Sequence, residues 1–193
     1  MGVFNAVAVS LADTLWRKPT GFGAARLREA ALVIGGIAVL TVSAKTQLPM
    51  IPVPMTMQSA AVLLLAAAYG LRLGLATVLA YLLLGALGAP VFAGAAAGLA
   101  YFAGPTGGFL LGFALAAAVV GGLCERGWSR GGRLLLSLGA GTAIPFMTGA
   151  AWLAVLSDGQ TALAVGVMPF LPGAVLKLAL VFSLLTAARR AAS

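Results

Sequence analysis

Long apolar runs separated by short polar or Pro/Gly-rich links dominate the chain. Bilayer crossing takes about 20 residues at 1.5 Å rise each. Six segments qualify. The first covers residues 30–48, after the basic stretch Arg26-Leu27-Arg28-Glu29. The second and third cover 58–70 and 73–88; as one straight helix this stretch would be ~46 Å long, more than a bilayer holds. Tyr69-Gly70-Leu71-Arg72 is the natural turn between them. LPMIPVPMT before them cannot be interior helix, because its three prolines remove donors and fix φ. The fourth span starts at Pro105-Thr106-Gly107-Gly108 and reaches Cys124. The fifth covers 134–156, and after Ser157-Asp158-Gly159 the sixth apolar region extends to Ala188, its regular helix beginning near Pro169 and Pro172. No internal repeat is evident.

Upstream, Phe4, Val7, Leu11 and Leu15 recur at helical spacing. This fits either a helix lying on the membrane surface or a frayed terminus. The segment lacks the basic start of a cleaved signal peptide. The expected organisation is a cytoplasmic segment, residues 1–29, followed by a six-helix transmembrane domain, residues 30–190.

Composition agrees that lipid is the solvent. Of 193 residues, 62% are hydrophobic and only 8% charged, with a mean hydropathy of +1.09. Soluble domains carry about 25% charged residues. The net charge of +8 does not point to nucleic acid, since the basic residues form no stripe with interleaved aromatics. They orient the spans instead. With a cytoplasmic N-terminus and six alternating crossings, Arg17, Lys18, Arg26, Arg28, Arg72, Arg126, Arg130, Arg133, Arg189 and Arg190 all fall inside. Only Lys45 and Lys177 of the 12 basic residues are left over. Such a positive-inside bias favours an all-α, multi-pass protein with both termini cytoplasmic.

The chemistry is sparse. There is no histidine, and Cys124 is the single cysteine, which excludes zinc clusters, His-based triads and internal disulfides. The acids Asp13, Glu29, Glu125 and Asp158 sit at predicted helix ends or loops, so no intramembrane carboxylate relay exists. No lysine follows a glycine, so there is no phosphate-binding G-x-x-x-x-G-K-[ST] loop. The chain is expected not to be an enzyme, and active transport would draw its energy from a partner.

Lys177 stands out. It lies eight residues past Pro169, about 12 Å along a helix, at a depth where an ammonium is costly unless it faces a cavity or a partner. It either meets an anionic or carbonyl-bearing ligand, or it snorkels or bonds loop carbonyls. Lys45, near a helix end, is expected to snorkel. PVFAGAAAGLAYFAGPTGGF reads as an external loop, with Thr106 capping the fourth helix. Its small residues also expose backbone N–H groups toward an oxygen-bearing ligand, and Phe92, Tyr101 and Phe102 offer walls for a flat, apolar one. Two narrow small-residue faces, Ala31/Gly35/Val39 and Gly108/Gly112/Ala116, suit close helix packing; the first, if exposed, would dock a partner subunit.

Three blocks then carry a family resemblance: PVPMTMQ at 52–58, GAPVFAG followed closely by GPTGGFLLGF within 88–113, and PFLPGAVLK at 169–177. In order and spacing they resemble the biotin transporter BioY family, the substrate-binding S components of energy-coupling factor importers. The resemblance implies a six-helix S-component bundle in the bacterial cytoplasmic (inner) membrane, with a pocket under external loops. It implies biotin as the transported ligand and no cofactor. It further implies a transmembrane coupling protein and ATPase subunits as partners, or self-association without them. The expected substrate-binding residues are Lys177, Gln58, Phe92, Gly94, Gly98, Tyr101, Thr106, Gly107 and Gly108. Many relatives carry an aspartate where this chain has Ala174, so ureido N–H groups would meet a backbone carbonyl, Gln58, Thr106 or water. An S component for another vitamin, or a membrane protein that only packs, are the competing readings.

Overall fold

A computed structural model describes residues 10–94 and 96–192. Its helices are α1 (Leu11–Leu15), α2 (Phe22–Lys45), α3 (Gln58–Ala86), α4 (Leu99–Ala103), α5 (Gly107–Glu125), α6 (Gly131–Leu156), α7 (Gly159–Gly166) and α8 (Leu171–Ala191). A 3₁₀ turn, Met168–Phe170, links the last two. Among the described residues, five helical stretches are long and apolar enough to cross a membrane: α2, α3, α5, α6, and the run from α7 through α8.

Of the N-terminal pattern, Phe4 and Val7 lie outside the described residues. Leu11 and Ala12 are buried, and Arg28 pins this end, donating to the Ala12 carbonyl at 2.8 Å and pairing with Asp13 at 2.9 Å. The helix containing the first span starts at Phe22, eight residues ahead of the expected Ala30, so the basic stretch is part of that helix. It stops at Lys45, short of Leu48.

α3 is one helical stretch by hydrogen bonding, but Gly70 breaks it with φ 81° and ψ −175°. The chain turns back there. A Cβ placed on Gly74 would lie 3.0 Å from Ala66 Cα, whereas eight residues of straight helix separate such positions by about 12 Å. Only glycine adopts this backbone without strain. The Glu125 carboxylate closes the turn by accepting the Leu71 N–H at 2.8 Å, satisfying an orphan donor of the new helix start.

The proline-rich segment is not wholly loop. Gln47–Leu48 and Met55–Thr56 pair as a two-stranded antiparallel ribbon, with Gln47 opposite Thr56, so the all-α expectation is corrected by this one short element. Prolines flanked by free edges tolerate such a ribbon because only its few paired residues need donors.

The core sits where α3, α5 and α6 meet. Leu63, Val120, Leu134 and Leu138 are buried there. Glycines allow the approach: a Cβ on Gly112 would overlap the Thr148 side chain and stand 2.6 Å from Pro145 Cα, and one on Gly121 would stand 2.8 Å from Leu71 Cα. The Gly108/Gly112/Ala116 face therefore packs inward, as the sequence suggested. The α2 face does not. Ala31, Gly35 and Val39 are exposed, and α2 packs instead through Gly36, Leu40 and Ala44, with Gly36 against Thr77 and Tyr69.

Candidate functional site

At the end of the bundle remote from the Gly70 turn lies a partly enclosed cavity of about 740 Å3, counting the space at its mouth. Six parts of the fold line it: the ribbon and its loop, the start of α3, the segment around Ala93 and Tyr101, the start of α5, the middle of α6, and the start of α8. Among the described residues, no carboxylate lines it.

Lys177 reaches this cavity from α8, and its Nζ donates to the Thr56 carbonyl at 2.6 Å. It thus bonds a loop carbonyl while lining a cavity. An ammonium has three donors, and the other two have no hydrogen-bond partner among the described residues. Ala174, one turn earlier, lines the same wall. Among the described residues, no acid lines the cavity beside the lysine.

Polar contacts spread from there. The Thr56 hydroxyl donates to Gln58 Oε1 at 3.1 Å, Gln58 Nε2 donates to the Tyr81 hydroxyl at 2.7 Å, and Tyr81 donates to the Val91 carbonyl at 2.9 Å. Gln58 and Tyr81 are buried. This chain fixes the Gln58 amide and ties the ribbon, α3 and the loop after α3 into one rim.

The expected binding residues divide. Lys177, Gln58, Tyr101 and Thr106 line the cavity. Phe92 stands behind the wall: fully buried, it stacks on Tyr101 with centroids 5.1 Å apart and meets Tyr81 and Phe102 edge-on at 5.5 and 5.6 Å. Gly94, at φ 66°, lines the neighbouring outer groove with Tyr101 and Thr106. Gly98 gives its N–H to the Gly85 carbonyl at 2.7 Å. Gly107 and Gly108 are packing positions, where a Cβ would overlap the Phe102 carbonyl and the Trp152 side chain respectively. Thr106 precedes α5 as expected, but its side chain makes no capping bond.

Sequence reasoning missed the main apolar walls. Phe109 and Phe113 from α5, Phe146 from α6 and Phe170 line the cavity, with Phe170 centroids 6.4 Å from Phe109 and 6.5 Å from Phe146. The i, i+4 spacing of Phe109 and Phe113, and of Thr142 and Phe146, placed each pair on one helix face. In keeping with its non-ligand reading, Lys45, exposed at the end of α2, bonds loop carbonyls: it donates to those of Pro90 at 2.7 Å and Phe92 at 2.8 Å, and to that of Gly94. It clamps the loop that leads to Tyr101.

Residues 14–193 match the BioY family. The chain belongs to the BioY family. Among its relatives, a protein of Pyrococcus horikoshii named "Probable biotin transporter BioY" is 34% identical over 80% of this chain and 91% of its own length. The "Biotin transporter BioY" of Rhizobium etli is 38% identical over 76% of this chain and 83% of its own. A solved structure of the S-component for biotin from an ECF-type ABC transporter shares the fold, with a TM-score of 0.77 at 21% identity, covering 89% of this chain and 95% of that one. This BioY family member is therefore a transporter component, not an enzyme.

Proposed function

We propose that this chain binds biotin from outside the cell and is the substrate-specific subunit for its uptake across the bacterial cytoplasmic membrane. The carrying observation is the cavity itself: among the described residues it has aromatic walls, no carboxylate, and one ammonium with donors to spare at Lys177. Biotin combines an apolar bicycle, a ureido group and one carboxylate. Lys177 meets a carboxylate or ureido carbonyl oxygen in a charge-assisted bond. The ureido N–H groups go to acceptors at the rim, with Gln58, Thr106 and backbone carbonyls standing in for the carboxylate that Ala174 lacks. Biotin is cargo, and the chain needs no cofactor.

The proposed topology has six crossings, both termini cytoplasmic. The reversal at Gly70 supports it by splitting α3 into residues 58–69 and 71–86. So does the clustering of basic side chains: Lys18, Arg26, Arg28 and Arg72 line one hollow at the Gly70 end, away from Lys45 and Lys177. Energy comes from partners, a membrane coupling protein with ATPase subunits, for which the open Ala31/Gly35/Val39 face of α2 is the docking surface.

A displacement assay with purified protein and a panel of biotin, desthiobiotin, thiamine and riboflavin tests this reading. Biotin alone, or biotin with desthiobiotin, is expected to bind. Thiamine, a cation, should be rejected by the uncompensated Lys177; preferential thiamine or riboflavin binding would reassign the substrate.

A further inference from the structure

Tyr81 stands behind the wall of the Lys177 cavity, 1% exposed, on the second half of α3. Its ring meets Phe92 edge-on at 5.5 Å, which fixes where the hydroxyl lies. That hydroxyl makes two hydrogen bonds of opposite sense. It donates to the Val91 carbonyl at 2.9 Å and accepts from Gln58 Nε2 at 2.7 Å.

One proton decides both. A backbone carbonyl only accepts, so the phenolic proton is committed to Val91 and the Tyr81 oxygen can only accept from Gln58. The NH2 end of the Gln58 amide must therefore face Tyr81. Its carbonyl end turns the other way, to Thr56, whose hydroxyl donates to Oε1 at 3.1 Å and receives the Gln58 N–H at 3.3 Å. Thr56 and Gln58 both line the cavity, so the Oε1 edge borders the cavity and Nε2 the buried side. A carbonyl oxygen has two lone pairs, and Thr56 uses one. Flipping the amide would set two acceptors against each other at Tyr81. Gln58 is 5% exposed, so bulk water does not repair the mismatch, which makes it costly.

Resting on the biotin reading above, we propose that Tyr81 is a specificity-determining positioning residue: it makes Gln58 present an acceptor, so that this point of the cavity takes a ligand N–H and rejects an oxygen in its place. A carboxylate accepts through either oxygen and needs no such control. A carboxamide accepts at one end and donates at the other, so a site relying on Gln58 needs a group that chooses the end. The Tyr81 hydroxyl chooses it from outside the cavity, 23 positions along the chain from Gln58. Sites built to hydrogen-bond a ligand N–H reject analogues that lack it, because their own polar group is then left unpaired.

The test compares, on the full chain in detergent, the affinities of biotin and of its two cyclic-carbamate analogues, each with a ring oxygen in place of one ureido N–H. Wild type is expected to bind biotin about tenfold or more tighter than at least one carbamate. Tyr81→Phe keeps the ring and frees the amide to turn, so biotin should weaken and that gap should shrink towards equality. A merely structural Tyr81 would weaken both ligands alike and leave the gap as it was; that result overturns the proposal. Should Tyr81→Phe misfold, the wild-type chain with isotope-labelled glutamine side chains carries the test. A nuclear Overhauser contact between the Gln58 amide protons and the Tyr81 ring is expected, and its absence overturns the proposal. Biotin binding by wild type with no preference over either carbamate overturns this inference alone, whereas no biotin binding at all overturns the biotin reading with it.

Discussion

Lys177 and Thr56 stand 121 positions apart in the chain, yet Lys177 Nζ lies 2.6 Å from the Thr56 carbonyl oxygen. That bond joins α8 to the ribbon and holds the ammonium at the cavity wall with two donors to offer. A lysine so anchored is pre-organised, and less side-chain freedom is lost when ligand arrives.

Lys45 performs a similar task on the opposite rim, gathering the carbonyls of Pro90, Phe92 and Gly94. Lys45→Met keeps the stem but frees the loop. Ligand dissociation, followed by stopped-flow, is expected to quicken about tenfold, with association little changed.

Close helix contacts set a second expectation. Gly112→Ala forces a methyl into Thr148 and the Pro145 backbone and should destabilise the fold by about 1–3 kcal/mol. Gly139, with nothing within 4 Å of a Cβ, should tolerate alanine or gain up to ~1 kcal/mol from helix propensity. Unfolding in detergent compares the two.

How much of this was legible in the chain follows from what each signal measures. The turn at Gly70 and the starts of α5 and α8 were readable because glycine and proline act locally, and Lys177 because a charge in an apolar run has few explanations. The Lys45 clamp was not, since its acceptors lie 45–49 residues away and backbone carbonyls carry no sequence mark. Gly35 and Gly36 are adjacent, and only packing decides that Gly36 faces Thr77. Phe109 and Phe113 hid in a helix apolar on every side, where hydrophobicity no longer distinguishes cavity from lipid.

The Gly70 turn depends on Glu125, whose carboxylate receives the Leu71 N–H at 2.8 Å. Glu125→Ala should cost about 0.5–2 kcal/mol, the range of a lost helix cap, and Glu125→Gln less. Hydrogen exchange at Leu71 and its neighbours reports the loosening directly.

Acid should loosen α7 before the rest. Asp158 caps it, accepting from the Thr161 hydroxyl at 2.6 Å and N–H at 2.9 Å, and these bonds hold its carboxyl below the ordinary 3.8. A depressed value means the cap contributes fully above the ordinary range and is lost as pH falls through the lowered one. Exchange at Thr161 should therefore rise only in strong acid, and Asp158→Asn, which can still cap, should abolish that dependence.

Calorimetric titration of biotin into the purified wild-type chain and into Lys177→Met puts the cavity assignment to the most direct trial. Saturable one-to-one binding to wild type is predicted, weakened in Lys177→Met by roughly 10–150-fold, as expected for a charge-assisted bond of about 1.5–3 kcal/mol. No saturable heat from wild type, or equal affinity in the two proteins, would contradict it.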